Sequence, residues 1–192
     1  MELPEWISPQ ALKLFIKFLY LGSISDQSLD YKSIFDFYQT AAYFKHPVLE
    51  DQIVVEGLIP KMNSRAAIQI LKGLQRFKDT ARESKVLLQD YCSFYLAKHL
   101  ASQLRASKKD LHDLEKRLLS CIVQRAILYV KGDDQLGTMD LELIIDFAAE
   151  IIADRDIYKL LEYISSKFKH CMAFDTQKVQ KIKEFMLSSD HS

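Results

Sequence analysis

One pattern occurs twice in the first hundred positions: an amphipathic helix, a short break, and a second amphipathic helix with its own apolar stripe. The first copy spans residues 41–53, with its break at His46-Pro47, and the looser second copy spans residues 70–77 and 91–100. Two such helices cannot bury both stripes alone, so the pattern predicts stacked antiparallel helical hairpins. Arrays of this kind bind partners more often than they catalyse reactions.

The same apolar spacing continues along the chain and predicts an all-α fold with about nine helices. At most one short strand is expected, near Ile24. The 192 residues include only 5 Gly and 4 Pro, too few for an all-β fold with many tight turns. Hydrophobic residues make up 48% of the chain, enough to bury a sizeable core.

Capping residues and prolines predict where the helices begin and end. Ser8 and Pro9 start a helix that Gly22 ends, and Asp30 caps the next helix. Asn63 or Ser64 caps a later one. The remaining helices are expected over about 48–58, 65–77, 85–104, 111–126, 140–152, 157–168 and 176–187, with loops at 78–83 and 131–137.

Residues three or four positions apart on these helices are expected to face the core. For the first two helices the inward residues are predicted to be Leu12, Phe15, Ile16 and Leu19, then Ile34, Phe37, Tyr38, Ala41 and Ala42.

Charge and cysteine content narrow the classes of function. Lys plus Arg equals Asp plus Glu, at 26 each, which does not support a general nucleic-acid or membrane-surface binder. No secretory leader or membrane-spanning run is apparent in the sequence. The three cysteines form no CxxC pair and favour a reduced compartment, so the cytoplasm is expected, with the nucleus as the alternative.

No motif in the sequence indicates catalysis, a cofactor or a metal. The nucleotide-binding glycine motifs and the GxSxG motif are absent. Cys92 and His99 stand about two helical turns apart, which is too far for a direct hydrogen bond. His170-Cys171 is a poor chelate because adjacent residues of a helix point apart. We therefore expect a non-enzymatic protein and a Cys92 that packs in the core.

Aromatic residues are unusually concentrated in the first quarter of the chain. Most of them are expected in the core, and the remainder could form an exposed patch that binds a partner, because Tyr and Phe contribute strongly to binding. The candidate partner-binding residues are Phe35, Tyr38, Tyr43, Phe44, His46 and Pro47.

Taken in order, these helical segments resemble a BTB (POZ) domain followed by a BACK domain. Residues 8–22 resemble the BTB segment S-P-x-A-φ-x-x-φ-φ-x-φ-φ-Y-T-G, with Leu21 for Thr, where φ is an apolar residue. Residues 41–53 resemble A-x-x-Y-x-φ-x-x-L-x-x-x-C, with Phe44 for Tyr and Ile53 for Cys. Residues 62–71 and 91–100 resemble the start of BACK, and residues 138–152 resemble a later BACK helix without its usual Trp.

The resemblance implies a domain organisation. Residues 1–58 resemble the C-terminal helices of a BTB domain, residues 59–188 resemble a BACK domain, and residues 189–192 form a tail. The strand-rich first half of a BTB domain has no counterpart in this sequence. In the family that half supplies the dimer helix and part of the cullin contact, so the resemblance leaves the oligomeric state open.

Two functions follow as expectations. The chain resembles the substrate adaptors of cullin-RING ubiquitin ligases, whose protein partners are a cullin and a ubiquitination substrate. The alternative is a structural subunit of a larger protein assembly, with no role in ubiquitination. Neither function calls for a nucleic acid, a membrane or a cofactor.

Overall fold

The chain is all-α in the part that the computed structural model describes, residues 3–22, 29–76, 83–130 and 138–151. Helix accounts for 84% of that part, which contains no strand, so the predicted fold class is confirmed. The candidate strand near Ile24, the loop at 131–137, the last two predicted helices and the tail at 189–192 lie outside the described residues.

The chain divides into two compact units, Met1–Tyr95 and Leu96–Ser192. The first contains α1 (Pro9–Leu21), α2 (Tyr31–Tyr43), α3 (Pro47–Gln52), a π-helical turn (Ile53–Leu58), a 3-10 turn (Ile59–Lys61), α4 (Ser64–Arg76) and most of α5 (Glu83–Lys98). The second contains the end of α5, then α6 (Leu100–Ser107), α7 (Lys109–His112), α8 (Lys116–Val130) and α9 (Thr138–Ile151). Compact units need not coincide with family domains, so the boundary expected after Leu58 stays a prediction.

Side-chain caps begin α1, α2 and α4 of the first unit. The Ala11 amide donates to Ser8 Oγ (3.1 Å), and the Ser33 amide donates to Asp30 Oδ1 (2.8 Å). The hydrogen bond from the Ser33 backbone lowers the pKa of the Asp30 carboxyl group. The capping residue of α4 is Asn63, whose Oδ1 accepts from the Ala66 amide (2.9 Å).

The buried face of α1 differs from the predicted one. Ala11 and Phe15 are buried, whereas Ile16 and Leu19 are exposed. Apolar residues lie on nearly every side of this helix, because Leu12, Leu14 and Phe18 interrupt any single stripe. The sequence pattern therefore could not identify the inward face, and the prediction that Ile16 and Leu19 face the core is wrong.

The predicted helix over 85–104 is two helices, with a break at His99 between α5 and α6. The His99 amide donates to the carbonyl of Leu96, three residues before it, rather than four (3.2 Å). Leu96, Leu100 and Leu104 are nevertheless all buried. The apolar spacing thus crosses the break and gives no sign of it.

In the first unit, α2 is central: it packs against α1, α3, α4 and the π-helical turn. Phe37 and Ala41 of α2 are fully buried there. The predicted inward residues Ile34 and Tyr38 are buried as well, and Ala42 is half-buried.

A buried hydrogen-bonded chain connects three helices of this unit. Ser84 Oγ donates to Glu50 Oε2 (2.8 Å), and the Tyr38 hydroxyl lies 3.4 Å from Ser84 Oγ. Because Ser84 has one hydroxyl proton and gives it to Glu50, it accepts from Tyr38. Glu50, Ser84 and Tyr38 are all buried, so these bonds satisfy polar groups that water cannot reach.

In the second unit, α9 packs against α6 and α8. Its buried residues Ile144, Phe147 and Ala148 follow helical spacing. Two surface ion pairs join α9 to α6 and to the residue that follows α6: Arg105 with Asp140 and Lys108 with Glu150. Exposed pairs of this kind contribute roughly 0–1 kcal/mol, so apolar packing dominates the stability of this unit.

Replacement of Ser84 tests the buried hydrogen bonds. Ser84→Ala removes a donor to a buried carboxyl group and is expected to lower the free energy of unfolding by about 2 kcal/mol. The control is Ser93→Ala in the same helix, because Ser93 is also buried but its hydroxyl donates only to the Gln89 carbonyl of its own helix (2.7 Å). Urea denaturation of the full chain measures both variants, and equal effects would contradict a special role for Ser84.

Candidate partner-binding surfaces

Six rings near the start of the chain contact one another in sequence, and we call them the aromatic cluster. The contacts run from Trp6 to Tyr43 (centroids 5.7 Å apart), to Phe44 (5.2 Å), to Phe15 (4.7 Å), to His46 (6.3 Å) and to Phe18 (5.8 Å). The Phe15 and Phe44 rings are stacked, and the other pairs meet edge to face. Edge-to-face and stacked geometries are the favourable ones for aromatic pairs.

The turn between α2 and α3 holds this cluster in place. The His46 amide donates to the Ala41 carbonyl (3.0 Å) and the Lys45 amide to the Ala42 carbonyl (3.1 Å), which is the Schellman arrangement at a helix end. That arrangement requires a left-handed residue, and Lys45 occupies the position with φ 57°. His46 then caps α3, because its Nδ1 accepts from the Leu49 amide (3.2 Å).

The six residues predicted to bind a partner divide into two groups. The turn after α2 brings together Tyr43, Phe44, His46 and Pro47, where Phe44 and Pro47 are exposed and the other two are half-buried. Phe35 and Tyr38 are buried, and their rings stack on each other (centroids 6.0 Å apart). Whether any of the six contacts a partner stays a prediction.

A second apolar surface is formed by exposed side chains of α1. Leu19 and Tyr20 stand three and four residues after Ile16, so both are neighbours of Ile16 on the helix surface. Their exposed fractions are 46%, 56% and 85%. We call these three residues the α1 outer face.

A groove of about 590 Å³ lies between α2 and α4, and we call it the α2–α4 groove. One wall is a single side of α2, and the other is a single side of α4, because the lining residues follow helical spacing on each. Trp6, which precedes α1, also lines the groove. The residues from the helices are Tyr31, Lys32, Phe35, Asp36 and Gln39 on α2, and Arg65, Gln69, Ile70, Lys72 and Gly73 on α4.

Gly73 sets the distance between the two walls. A Cβ atom at this position would lie 2.3 Å from Cε1 of Phe35, which is far inside van der Waals contact. The absence of a side chain therefore lets the Phe35 ring lie directly against α4. This close approach buries Phe35. The sequence does not indicate this burial, because Phe35 stands next to the charged residue Asp36.

Burial raises the pKa of the Cys92 thiol to about 12, and Cys92 packs in the core as predicted. A thiol with such a pKa stays protonated at neutral pH and is a poor nucleophile. Within the described part of the chain, His, Cys, Asp and Glu side chains form no group of three that could hold a metal. None of the helices described there is long and apolar enough to cross a membrane.

Comparisons with known proteins returned no matching family model, no matching curated protein and no matching solved structure. The assignment of a function therefore depends on the surfaces described above.

Three members of the aromatic cluster were not among the predicted site residues: Trp6, Phe15 and Phe18. They lie at least 25 positions before Tyr43 in the chain, so helical spacing within one element could not connect them to it. Their contacts with the rings of residues 43–46 form only when the helices pack.

Replacement of Lys45 tests the turn that holds the cluster. Lys45→Gly is expected to raise the free energy of unfolding by about 0.5–1 kcal/mol, because the left-handed conformation is strained for lysine but not for glycine. The greater backbone entropy that glycine loses on folding offsets only part of this gain. The opposite change is Gly22→Ala, which places alanine at φ 68° and is expected to lower the free energy of unfolding. No atom lies within 4 Å of the added methyl group, so this loss comes from the backbone conformation and not from a steric clash. Chemical denaturation measures both, and destabilisation by Lys45→Gly would contradict the turn geometry.

Proposed function

We propose that this chain is a non-enzymatic protein-interaction module, in which helices of the first unit present apolar surface to a protein partner. The observation that carries the proposal is the α1 outer face. Single exposed apolar side chains are ordinary on protein surfaces, but three together on one side of one helix are typical of an interface.

The family resemblance supports a more specific form of this proposal. In that form the chain acts as an adaptor of a cullin-RING ubiquitin ligase, and the cullin contacts the neighbourhood of Phe44, His46 and Pro47. The exposure of Phe44 and Pro47 supports it, since both side chains are available to a partner. An aromatic ring with 38% of its surface exposed and its other side stacked on Phe15 is rigid, which lowers the entropy cost of binding.

The second candidate function is a structural subunit of a larger assembly. Exposed apolar side chains on other helices favour it, because a subunit covered by several neighbours needs more than one apolar surface. These side chains are Val48 on α3, Val55 on the π-helical turn, and Val86, Leu87 and Phe94 on α5.

Polar replacement of the α1 outer face tests the interaction proposal. Ile16→Gln with Leu19→Gln is expected to reduce recovery of partner proteins at least tenfold (about 1.4 kcal/mol of binding free energy), as measured by quantitative affinity purification from cells. Stability should change little, because the replaced side chains are exposed.

The control variant changes Lys13→Gln and Lys17→Gln, which are exposed positions of the same helix. It introduces the same residue type without removing apolar surface. Equal recovery of partners by the two variants would show that the α1 outer face is not the interface.

Titration with a purified cullin N-terminal region separates the two candidate functions. The adaptor form predicts saturable binding with a dissociation constant near or below about 10 µM, and weakening by Phe44→Ala, which removes the ring. Absence of binding at that concentration, together with intact partner recovery in cells, would favour the structural subunit.

A further inference from the structure

The α2–α4 groove concentrates positive charge in a chain that is neutral as a whole. Its lining contains three cationic residues, Lys32, Arg65 and Lys72, and one acidic residue, Asp36. The complete sequence balances 26 basic residues with 26 acidic ones. The surplus in the groove is therefore local, and it favours a ligand that carries negative charge.

The cations stand on both walls of the groove. Lys32 lies on α2, and Arg65 and Lys72 lie on α4, so an anionic segment between the helices meets positive charge from either side. Lys32 and Arg65 are exposed, and their heads can reach a ligand without first leaving a buried site. The Arg65 guanidinium can also bind a carboxylate through two parallel hydrogen bonds.

The rest of the lining suits a peptide. Gln39 and Gln69, one on each wall, each provide a carbonyl acceptor and an amide donor of the kind that pair with an extended backbone. Phe35 and Ile70 are buried and form an apolar base, and Trp6 is 43% exposed beside them. A large apolar side chain of the ligand would bury surface against these residues.

We propose that the α2–α4 groove binds an acidic segment of a partner protein that carries a large apolar residue among its carboxylates. The proposal rests on the proposed function as an interaction module and assigns it one class of partner. A nucleic acid fits less well, because three cations and a carboxylate are too few for a groove that tracks phosphates.

Fluorescence anisotropy with the full chain tests the proposal. The probe is a short fluorescein-labelled peptide of glutamates and aspartates around one phenylalanine. Binding is expected to weaken as salt is raised from low ionic strength to about 0.15 M and beyond, because the ion pairs are partly exposed and become screened. A peptide with lysines in place of the acids, and one with alanine in place of phenylalanine, are both expected to bind more weakly.

Charge changes in the groove are expected to weaken peptide binding in one variant and to strengthen it in another. Lys32→Glu with Arg65→Glu is expected to weaken binding of the acidic peptide at least tenfold. Asp36→Asn is expected to strengthen it several-fold, because it removes the negative charge of the groove, and a gain in affinity cannot come from misfolding. The control Lys109→Glu with Lys116→Glu makes the same change in net charge at exposed positions of α7 and α8 and is expected to leave binding within twofold.

The outcomes distinguish this proposal from the general function. Equal binding of the acidic and lysine peptides, or equal weakening by the groove and control variants, would overturn the groove proposal. Equal or tighter binding of a single-stranded oligonucleotide of matched charge would overturn it in favour of a nucleic-acid site. The outer-face variant Ile16→Gln with Leu19→Gln should bind the peptide normally, so loss of partners in that variant alone tests the general function separately.

Discussion

The buried hydrogen bonds of Glu50 are the constraint on which the first unit depends. Ser84 at the start of α5 donates to this carboxyl group and accepts from Tyr38 of α2, so one chain of bonds fixes α2, α3 and α5 at defined positions. Apolar packing alone would tolerate small shifts of these helices, but a buried polar group that loses its partner is destabilising by about 1–3 kcal/mol. The network thereby specifies the arrangement as well as contributing to its stability.

The position of α2 then determines where two of the three candidate surfaces form, the α2–α4 groove and the aromatic cluster. On one side, the close approach at Gly73 brings the Phe35 ring against α4 and produces the α2–α4 groove. At its end, the left-handed Lys45 reverses the chain so that Phe44 stacks on Phe15 and His46 caps α3. Trp6 connects the two regions, because it lines the groove and contacts Tyr43. A partner on either surface would therefore contact a rigid support.

Local features of the sequence predicted much of the fold, but they did not predict which face of α1 is buried. The structure has the predicted helix caps at Ser8 and Asp30 and the predicted break at His46-Pro47. These features could be predicted because capping and proline geometry act within a few residues. The inward face of α1 was wrong, since apolar residues surround that helix. For the candidate site, the concentration of aromatic residues led to the group around Phe44, but it could not separate the buried Phe35 from the exposed rings or reveal the groove.

By itself, the sequence determined that the chain is helical, where α1, α2, α4 and α9 begin and end, and that Cys92 is a core residue. These properties follow from short-range backbone sterics, capping and apolar period, which neighbouring residues fix. Only the tertiary structure decided which face of α1 is covered, which aromatic rings remain exposed and which cations share a groove. Those properties depend on contacts between residues far apart in the chain, such as Phe35 with Gly73 or Glu50 with Ser84, and no local pattern encodes them.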